Sequence, residues 1–370
     1  MSSFRCSSYA RLVLVGVFVF GSGCGAADET DPLPATDASG LQAALDLQEV
    51  FATVAEQTFP SVAGISAYRS APGKVADKRD LGWREASRDG HPGFDRIGQG
   101  SAFVVSDEGF LLTAHSLLRD VKTGRMADRI EVELGDERLE GRLVGAEPSI
   151  NLAVLKVEHR GAFQPVTIGD SNSAAVGHWA IAIGDPPGPG TVFATGSISA
   201  VPERECYQEQ RSATLLRSSA QVPAGAVGGP LLNIYGEVIG ISLPQQFRGW
   251  SDFALPMELA MTLYEPLLVR ESIRSPWIGV SVQTRGSVRP LEGLLIDDVF
   301  DPSPASRADI RVGDVLLYLG PDKVATVGDF QRWLYLNGIG ATVEIKIWRE
   351  FEISKRTITI EERPASAKMR

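Results

Sequence analysis

Gly225-Ala226-Val227-Gly228-Gly229-Pro230, followed by Leu231-Leu232-Asn233, is the stretch on which the reading of this chain turns. Glycine lacks a Cβ and adopts positive φ at little cost, so Gly225, Gly228 and Gly229 permit a tight turn. Val227 sits inside that turn with two methyl groups and no nucleophilic atom. The apolar run Leu231 to Leu243 behind it reads as strand.

Working outward, short strands fall at Val62–Ala67, Ser101–Ser106, Phe110–Thr113, Leu152–Val157, Trp179–Ile183 and Val192–Val201. Ile130-Val132-Leu134 and Leu139–Leu143 alternate about a Gly135-Asp136 turn, a hairpin signal. Many short strands between turns point to barrels or a sandwich rather than to βαβ units. Leu41 to Phe59 carries apolar residues at helical spacing and predicts a helix that stops before Pro60. Tyr68 to Arg96 is polar, without periodicity, and reads as a long loop. A second unit begins near Ser275, with strands at Trp277–Val282, Gly293–Val299 and Val315–Leu319. It adds a short helix around Ala305–Asp309, a capped helix from Thr326 carrying Phe330 to Leu336, and a hairpin at 343–347 and 358–360. The tail 363–370 reads as disordered.

A chain of 370 residues at 44% hydrophobic has room for two domains. The net charge of −10 argues against a nucleic-acid partner, which would favour a basic face. At the N-terminus, Arg5 and Arg11 precede the apolar run Leu12–Phe20, which is too short to span a bilayer. It leads into Gly21-Ser22-Gly23-Cys24, which resembles a bacterial lipobox and makes Cys24 the expected lipidation site, although Gly21 departs from the usual leucine. The alternative is ordinary cleavage after Ala27 and a soluble periplasmic protein. Residues 1–24 are therefore expected as a signal peptide and 25–40 as a flexible tether. With Cys6 removed and Cys24 lipidated, Cys206 has no intramolecular partner. No Cys/His spacing suggests a metal site, and no cofactor is expected.

The ordered series of segments resembles the HtrA/Deg family of trypsin-like serine proteases with a C-terminal PDZ domain. The segments are Gly98–Val105, Leu112-Thr113-Ala114-His115, Asn151–Val157, Ile183–Gly188, Thr195–Ser199, Gly225–Asn233, Gly236–Ile241 and Phe253–Pro256. The resemblance implies a mainly β fold: a trypsin-like double β-barrel of six-stranded Greek-key barrels over 41–270, then an α+β PDZ domain over 275–362. It also implies a triad. His115 stands at the general-base position, the alternative being a structural imidazole. Asn151 stands where an aspartate orients that base, and Val227 where the serine attacks. An amide cannot stabilise an imidazolium, and valine forbids an acyl-enzyme. Gly225 and Val227 either keep an oxyanion-loop backbone for peptide binding or simply form the turn. Rescue by Ser218 or Ser219, on the strand leading into the loop, would require one of them within reach of His115.

Trp277-Ile278-Gly279-Val280 resembles the carboxylate-binding loop of PDZ domains, whose backbone amides hold a peptide C-terminus while the peptide adds a strand. The alternative is that Trp277 and Ile278 pack the core. The expected protein is a catalytically degenerate, lipid-anchored envelope protein facing the periplasm. It would bind C-terminal or extended polypeptide segments as a scaffold, sensor or chaperone-like factor. The alternatives are an active HtrA-type serine endopeptidase and a regulatory partner subunit of an active homologue. The resemblance further implies a trimer formed through residues 41–60.

Overall fold

The computed structural model describes residues 38–70, 93–187, 190–207, 211–222, 224–243, 252–270, 274–284 and 293–364. The expectations for the signal segment, Cys24, most of the tether and the extreme C-terminus lie outside the described residues, as does the Cys206 side chain.

Helix α1 spans Ala38–Thr58. It ends as predicted, with Phe59–Ser61 tightening into a 3-10 turn around Pro60. Proline disfavours the α conformation at the residue before it, and the Thr58 hydroxyl donates to the Val54 carbonyl at 2.7 Å in the last turn.

The first barrel closes from β1 (Val62–Ser70), β2 (Phe94–Val104), β3 (Phe110–Ala114), β4 (Arg129–Leu134), β5 (Glu137–Glu147) and β6 (Leu152–Val157) in the order β1-β2-β3-β6-β5-β4. The predicted hairpin is present, with Leu134 opposite Glu137 and Gly135 at φ 57°. Ile65, Ala102, Val104, Leu111, Val132 and Leu155 fill the interior. The ends of the segment expected as a loop at 68–96 are strand, because β1 runs to Ser70 and β2 starts at Phe94, and its middle lies outside the described residues. Pairing of Arg69 with Asp95 and of Ser70 with Phe94 satisfies backbone groups that side-chain polarity had marked as loop.

The second barrel closes from β7 (Trp179–Gly184), β8 (Val192–Tyr207), β9 (Arg211–Ser218), β10 (Pro230–Leu232), β11 (Val238–Ser242) and β12 (Asp252–Pro256) in the order β10-β11-β12-β9-β8-β7. The run 231–243 is thus two strands. The Asn233 carboxamide oxygen accepts the N–H groups of Tyr235 and Glu237 at 3.0 Å each, and Gly236 turns at φ 78°. Helix α2 (Met257–Val269) follows and buries Met257, Leu259, Ala260, Leu263, Tyr264 and Leu267, a helical spacing.

The last region runs β13 (Pro276–Trp277), β14 (Val280–Thr284), β15 (Leu294–Val299), α3 (Pro304–Arg307), β16 (Val315–Leu319), β17 (Asp322–Lys323), α4 (Val327–Asn337), β18 (Thr342–Arg349), β19 (Glu352–Thr359) and β20 (Glu361–Glu362). Its main sheet has the order β14-β15-β16-β18-β19, so β14 is an edge strand, while β13 pairs with β20. The expected single strand 277–282 is broken at Gly279, whose φ of 87° lies outside the strand region. Thr326 and Asp329 form the predicted capping box of α4.

Candidate functional site

Strand β3 delivers the chain into a 3-10 turn that begins at His115, which is 6% exposed. Asn151, 2% exposed, immediately precedes β6 at φ 63°. Asparagine takes this left-handed conformation more readily than most residues because its short amide bonds locally. Its backbone carbonyl accepts the His115 N–H at 3.1 Å. Its side-chain Oδ1 accepts the Ser116 N–H at 2.7 Å, and its Nδ2 donates to Ser116 Oγ at 3.1 Å. Three bonds therefore tie position 151 to the His115-Ser116 segment.

The loop at 225–229 is held from the first barrel. The Val227 carbonyl accepts the Ser101 N–H at 2.8 Å. Ser101 Oγ donates to the Gly225 carbonyl at 2.7 Å and accepts the Asp185 N–H at 2.9 Å. Thr113 Oγ1 donates to the Ser101 carbonyl at 2.7 Å. Gly228 sits at φ 84°, where a Cβ would lie 2.3 Å from the Ser101 carbonyl oxygen, so this close approach requires glycine. The Val227 side chain shares an apolar cluster with Ala114, Leu117 and Ile150, and the residue is 8% exposed. A buried imidazole and a buried carboxamide thus lie on hydrogen-bonded segments beside β3 and β6, while a hydrocarbon side chain occupies the braced loop. Burial raises the Asp185 carboxyl above its ordinary pKa, and a hydrogen bond from Thr191 opposes the shift.

The two serines weighed as replacements have local partners. Ser218 Oγ accepts the Ala220 N–H at 2.9 Å, and Ser219 Oγ accepts the Ser197 N–H at 2.9 Å. Both hydroxyls brace the end of β9.

A second site lies between β14 and α4. A cleft of about 90 Å³ is lined by apolar side chains that include Trp277, Val280, Val282, Phe330 and Leu334. Trp277 stacks edge-on against Phe300 with ring centroids 5.7 Å apart. Ile278, 2% exposed, packs into the domain core, whereas Trp277 and Val280 line the cleft. The loop backbone is fixed by the Ala305 N–H on the Ile278 carbonyl at 2.8 Å and the Phe300 N–H on the Gly279 carbonyl at 2.9 Å. A Cβ on Gly279 would lie 2.1 Å from the Ser303 Cβ.

Sequence reasoning missed Ser101, whose partners come from distant parts of the chain. It also missed Ser149, Ile150, Tyr335 and Arg363 around the cleft. The Tyr335 hydroxyl is 3.0 Å from Ser149 Oγ, and Glu147 Oε1 accepts from Ser275 Oγ at 3.0 Å. Burial first, then the nearby Glu147 carboxylate, pushes the Tyr335 hydroxyl well above the usual phenol range. Among the described residues no group of three or more His, Cys, Asp or Glu is placed to hold a metal ion.

Two closed six-stranded barrels with this loop between them, followed by a sheet with an edge strand and flanking helix, define a trypsin-like peptidase domain joined to a PDZ domain. The trypsin-like peptidase domain family matches residues 100–241, and the PDZ domain family matches residues 276–360. The chain is homologous to the DegP/HtrA proteases. A probable periplasmic serine endoprotease DegP-like of Brucella suis biovar 1 is 30% identical over 302 residues, covering 78% of this chain and 57% of that protein. The Halomonas elongata protein of the same description is 32% identical over 290 residues, covering 74% of this chain and 58% of its own. The chain thus spans less than three-fifths of the length of these relatives. Among solved structures, the HtrA-type protease AlgW with tripeptide overlays with a TM-score of 0.62 at 23% identity, covering 85% of this chain and 97% of the other. The serine endoprotease from Yersinia pestis overlays at 0.56 and 23% identity, covering 85% and 98%. Both overlays support the fold.

Proposed function

We propose that this chain is an exported peptide-binding protein on a protease scaffold that turns over no substrate. The observation that carries this reading is Val227, an apolar side chain in a loop braced by Ser101, where the relatives' class of chemistry requires a hydroxyl. Asn151 supports it, because a carboxamide at this position, bonded to the Ser116 N–H and Oγ, brings no negative charge that could stabilise an imidazolium at 115. The remaining work is capture. The backbone of Ile278–Val280 receives a free peptide C-terminus, and the cleft between β14 and α4 takes its last apolar side chain. Cys24 carries a lipid that tethers the protein to a membrane on its periplasmic side, and residues 41–60 associate it as a trimer. An active endopeptidase is the competing reading, favoured by the likeness to the Brucella and Halomonas relatives, which are named as probable serine endoproteases.

Purified mature protein, incubated with an unfolded casein-type substrate and a fluorophosphonate probe, is expected to cleave nothing and to stay unlabelled. Labelling mapped to Ser218, Ser219 or any other serine of the chain would overturn the proposal.

A further inference from the structure

The hairpin of β18 and β19 ends in a two-residue turn, Glu350-Phe351, with both residues at positive φ, 49° and 70°. Such turns are ordinarily made by Asn-Gly, because a Cβ disfavours the left-handed conformation at either position. Here the turn holds a phenylalanine, and Phe351 is 91% exposed. Its ring stacks edge-on against Trp348 with centroids 5.7 Å apart. Trp348 lies directly opposite Ile353, which is 60% exposed. Ile345 and Ile347 point into the domain core, so alternation places Trp348, Ile353 and the opposed pair Lys346 and Lys355 on the outward face. Tyr318 on β16 extends that face. It pairs with Lys346, whose ammonium sits 4.8 Å from the Tyr318 ring centroid.

We propose that this hairpin tip docks on a lipid bilayer, with Phe351 and Ile353 entering the boundary between headgroups and acyl chains. Phe351, Ile353 and the exposed part of Trp348 offer roughly 300–400 Å² of apolar surface, judged from the area that aromatic side chains bury. A stable protein interface takes about 800 Å² per partner, so a second copy of the chain would find too little here. The tip is also a projecting turn, and a bilayer accepts such a shape without a complementary groove. Tryptophan and tyrosine beside lysines are the residues that suit a membrane interface, where rings sit at headgroup level and lysine stems extend toward phosphates. Lys355 is paired with Glu344 at 2.9 Å, and Glu350 adds a negative charge at the turn, so apolar insertion rather than net charge carries the binding. The lipid proposed at Cys24 lies about fourteen residues before Ala38, a span of at most about 50 Å when extended. Only the proximity of a bilayer rests on that reading; the insertion depends on the hairpin's own side chains.

The test uses the full mature chain, produced without its signal so that Cys24 stays unacylated, and vesicles of phosphatidylethanolamine and phosphatidylglycerol. The protein is expected to sediment with the vesicles and to remain with them at high salt. Phe351→Asn suits the left-handed turn and Ile353→Thr keeps a β-branched residue in the strand, so both variants should stay folded, which thermal melting checks. Phe351→Asn is expected to weaken partitioning by about ten- to a hundredfold, the worth of withdrawing one large apolar side chain, and Ile353→Thr by less. Failure of the unacylated chain to sediment would overturn the proposal and leave the tip to a protein partner, with the Cys24 tether untouched. Equal binding by both folded variants, or binding abolished by salt, would also overturn it. Palmitate labelling of Cys24 tests the tether separately, and its failure would leave the vesicle result standing.

Discussion

The Val227 loop and the Trp277–Val280 loop are built alike. Each rests on a glycine at positive φ, Gly228 at 84° and Gly279 at 87°, and each glycine presses so closely on a neighbour that a Cβ would clash. Each is pinned by backbone hydrogen bonds from an adjoining element: Ser101 on Val227, Ala305 and Phe300 on Ile278 and Gly279. They differ in what their proposed roles ask of side chains. On the proposed reading, acyl transfer would need a hydroxyl at position 227 and a carboxylate at 151, where this chain has valine and asparagine. Holding a peptide C-terminus needs backbone N–H groups and an apolar floor, which do not depend on any single side chain. A site made of backbone tolerates drift in sequence that abolishes a site made of one hydroxyl.

The sharpest way to break this contrast is to rebuild the first site. Val227→Ser alone should give barely measurable turnover of an unfolded protein substrate. Adding Asn151→Asp should raise kcat/KM by on the order of 10⁴, because the carboxylate orients and stabilises the imidazolium and the triad acts as a unit. Asp and Asn both tolerate the left-handed backbone at φ 63°, so the second change carries little strain. Equal rates for the single and double variants would show that position 151 does not act as argued.

The second site is tested through its ligand. Amidating the C-terminus of a peptide that binds should weaken it by about ten- to a hundredfold, the worth of charge-assisted hydrogen bonds of about 1.5–3 kcal/mol. A titration in which the acid and the amide bind equally would mean that the Trp277–Val280 loop is only a turn.

The brace beneath the first loop is open to the same kind of test. Ser101→Ala removes the acceptor of the Asp185 N–H and the donor to the Gly225 carbonyl. Leaving these groups without Oγ should cost about 1–3 kcal/mol in denaturant unfolding. If stability is unchanged, Ser101 is not what fixes the loop.

The smallest expected effect concerns pH. Burial raises the Asp185 pKa in the folded protein, so the folded state holds more protons than the unfolded chain in the window above about pH 4. Stability contributed by this group is present below the window and is lost as pH rises through it. Asp185→Asn should flatten that part of the pH–stability profile, and a profile that keeps its slope would assign it to another carboxyl.

Much of this fold is legible in local patterns. Alternation about Gly135-Asp136 gives the β4–β5 hairpin, and Thr326 with Asp329 gives the start of α4. Helix α2 carries a local signal as well, buried residues from Met257 to Leu267 at helical spacing, although the sequence expectations do not include it. The turn that separates β10 from β11 carries its own signal in Asn233 and Gly236. The cleft wall was not legible. Ser149 and Ile150 carry no motif, and they reach the PDZ groove only because the chain returns there more than a hundred residues later.

The sequence by itself determined the order of the barrels and the PDZ domain, the identity of the residues at positions 115, 151 and 227, and the glycine-rich turn around Val227. These follow from chemistry carried by single residues or by near neighbours. Only the tertiary structure decided that Ser101 clamps the Val227 loop, that Ile278 packs inward while Trp277 lines the cleft, and that Ser149 and Ile150 of the first barrel line the same cleft. Each of these depends on contacts between residues distant in the chain, which are fixed by closure of the barrels and burial of apolar side chains rather than by local propensity.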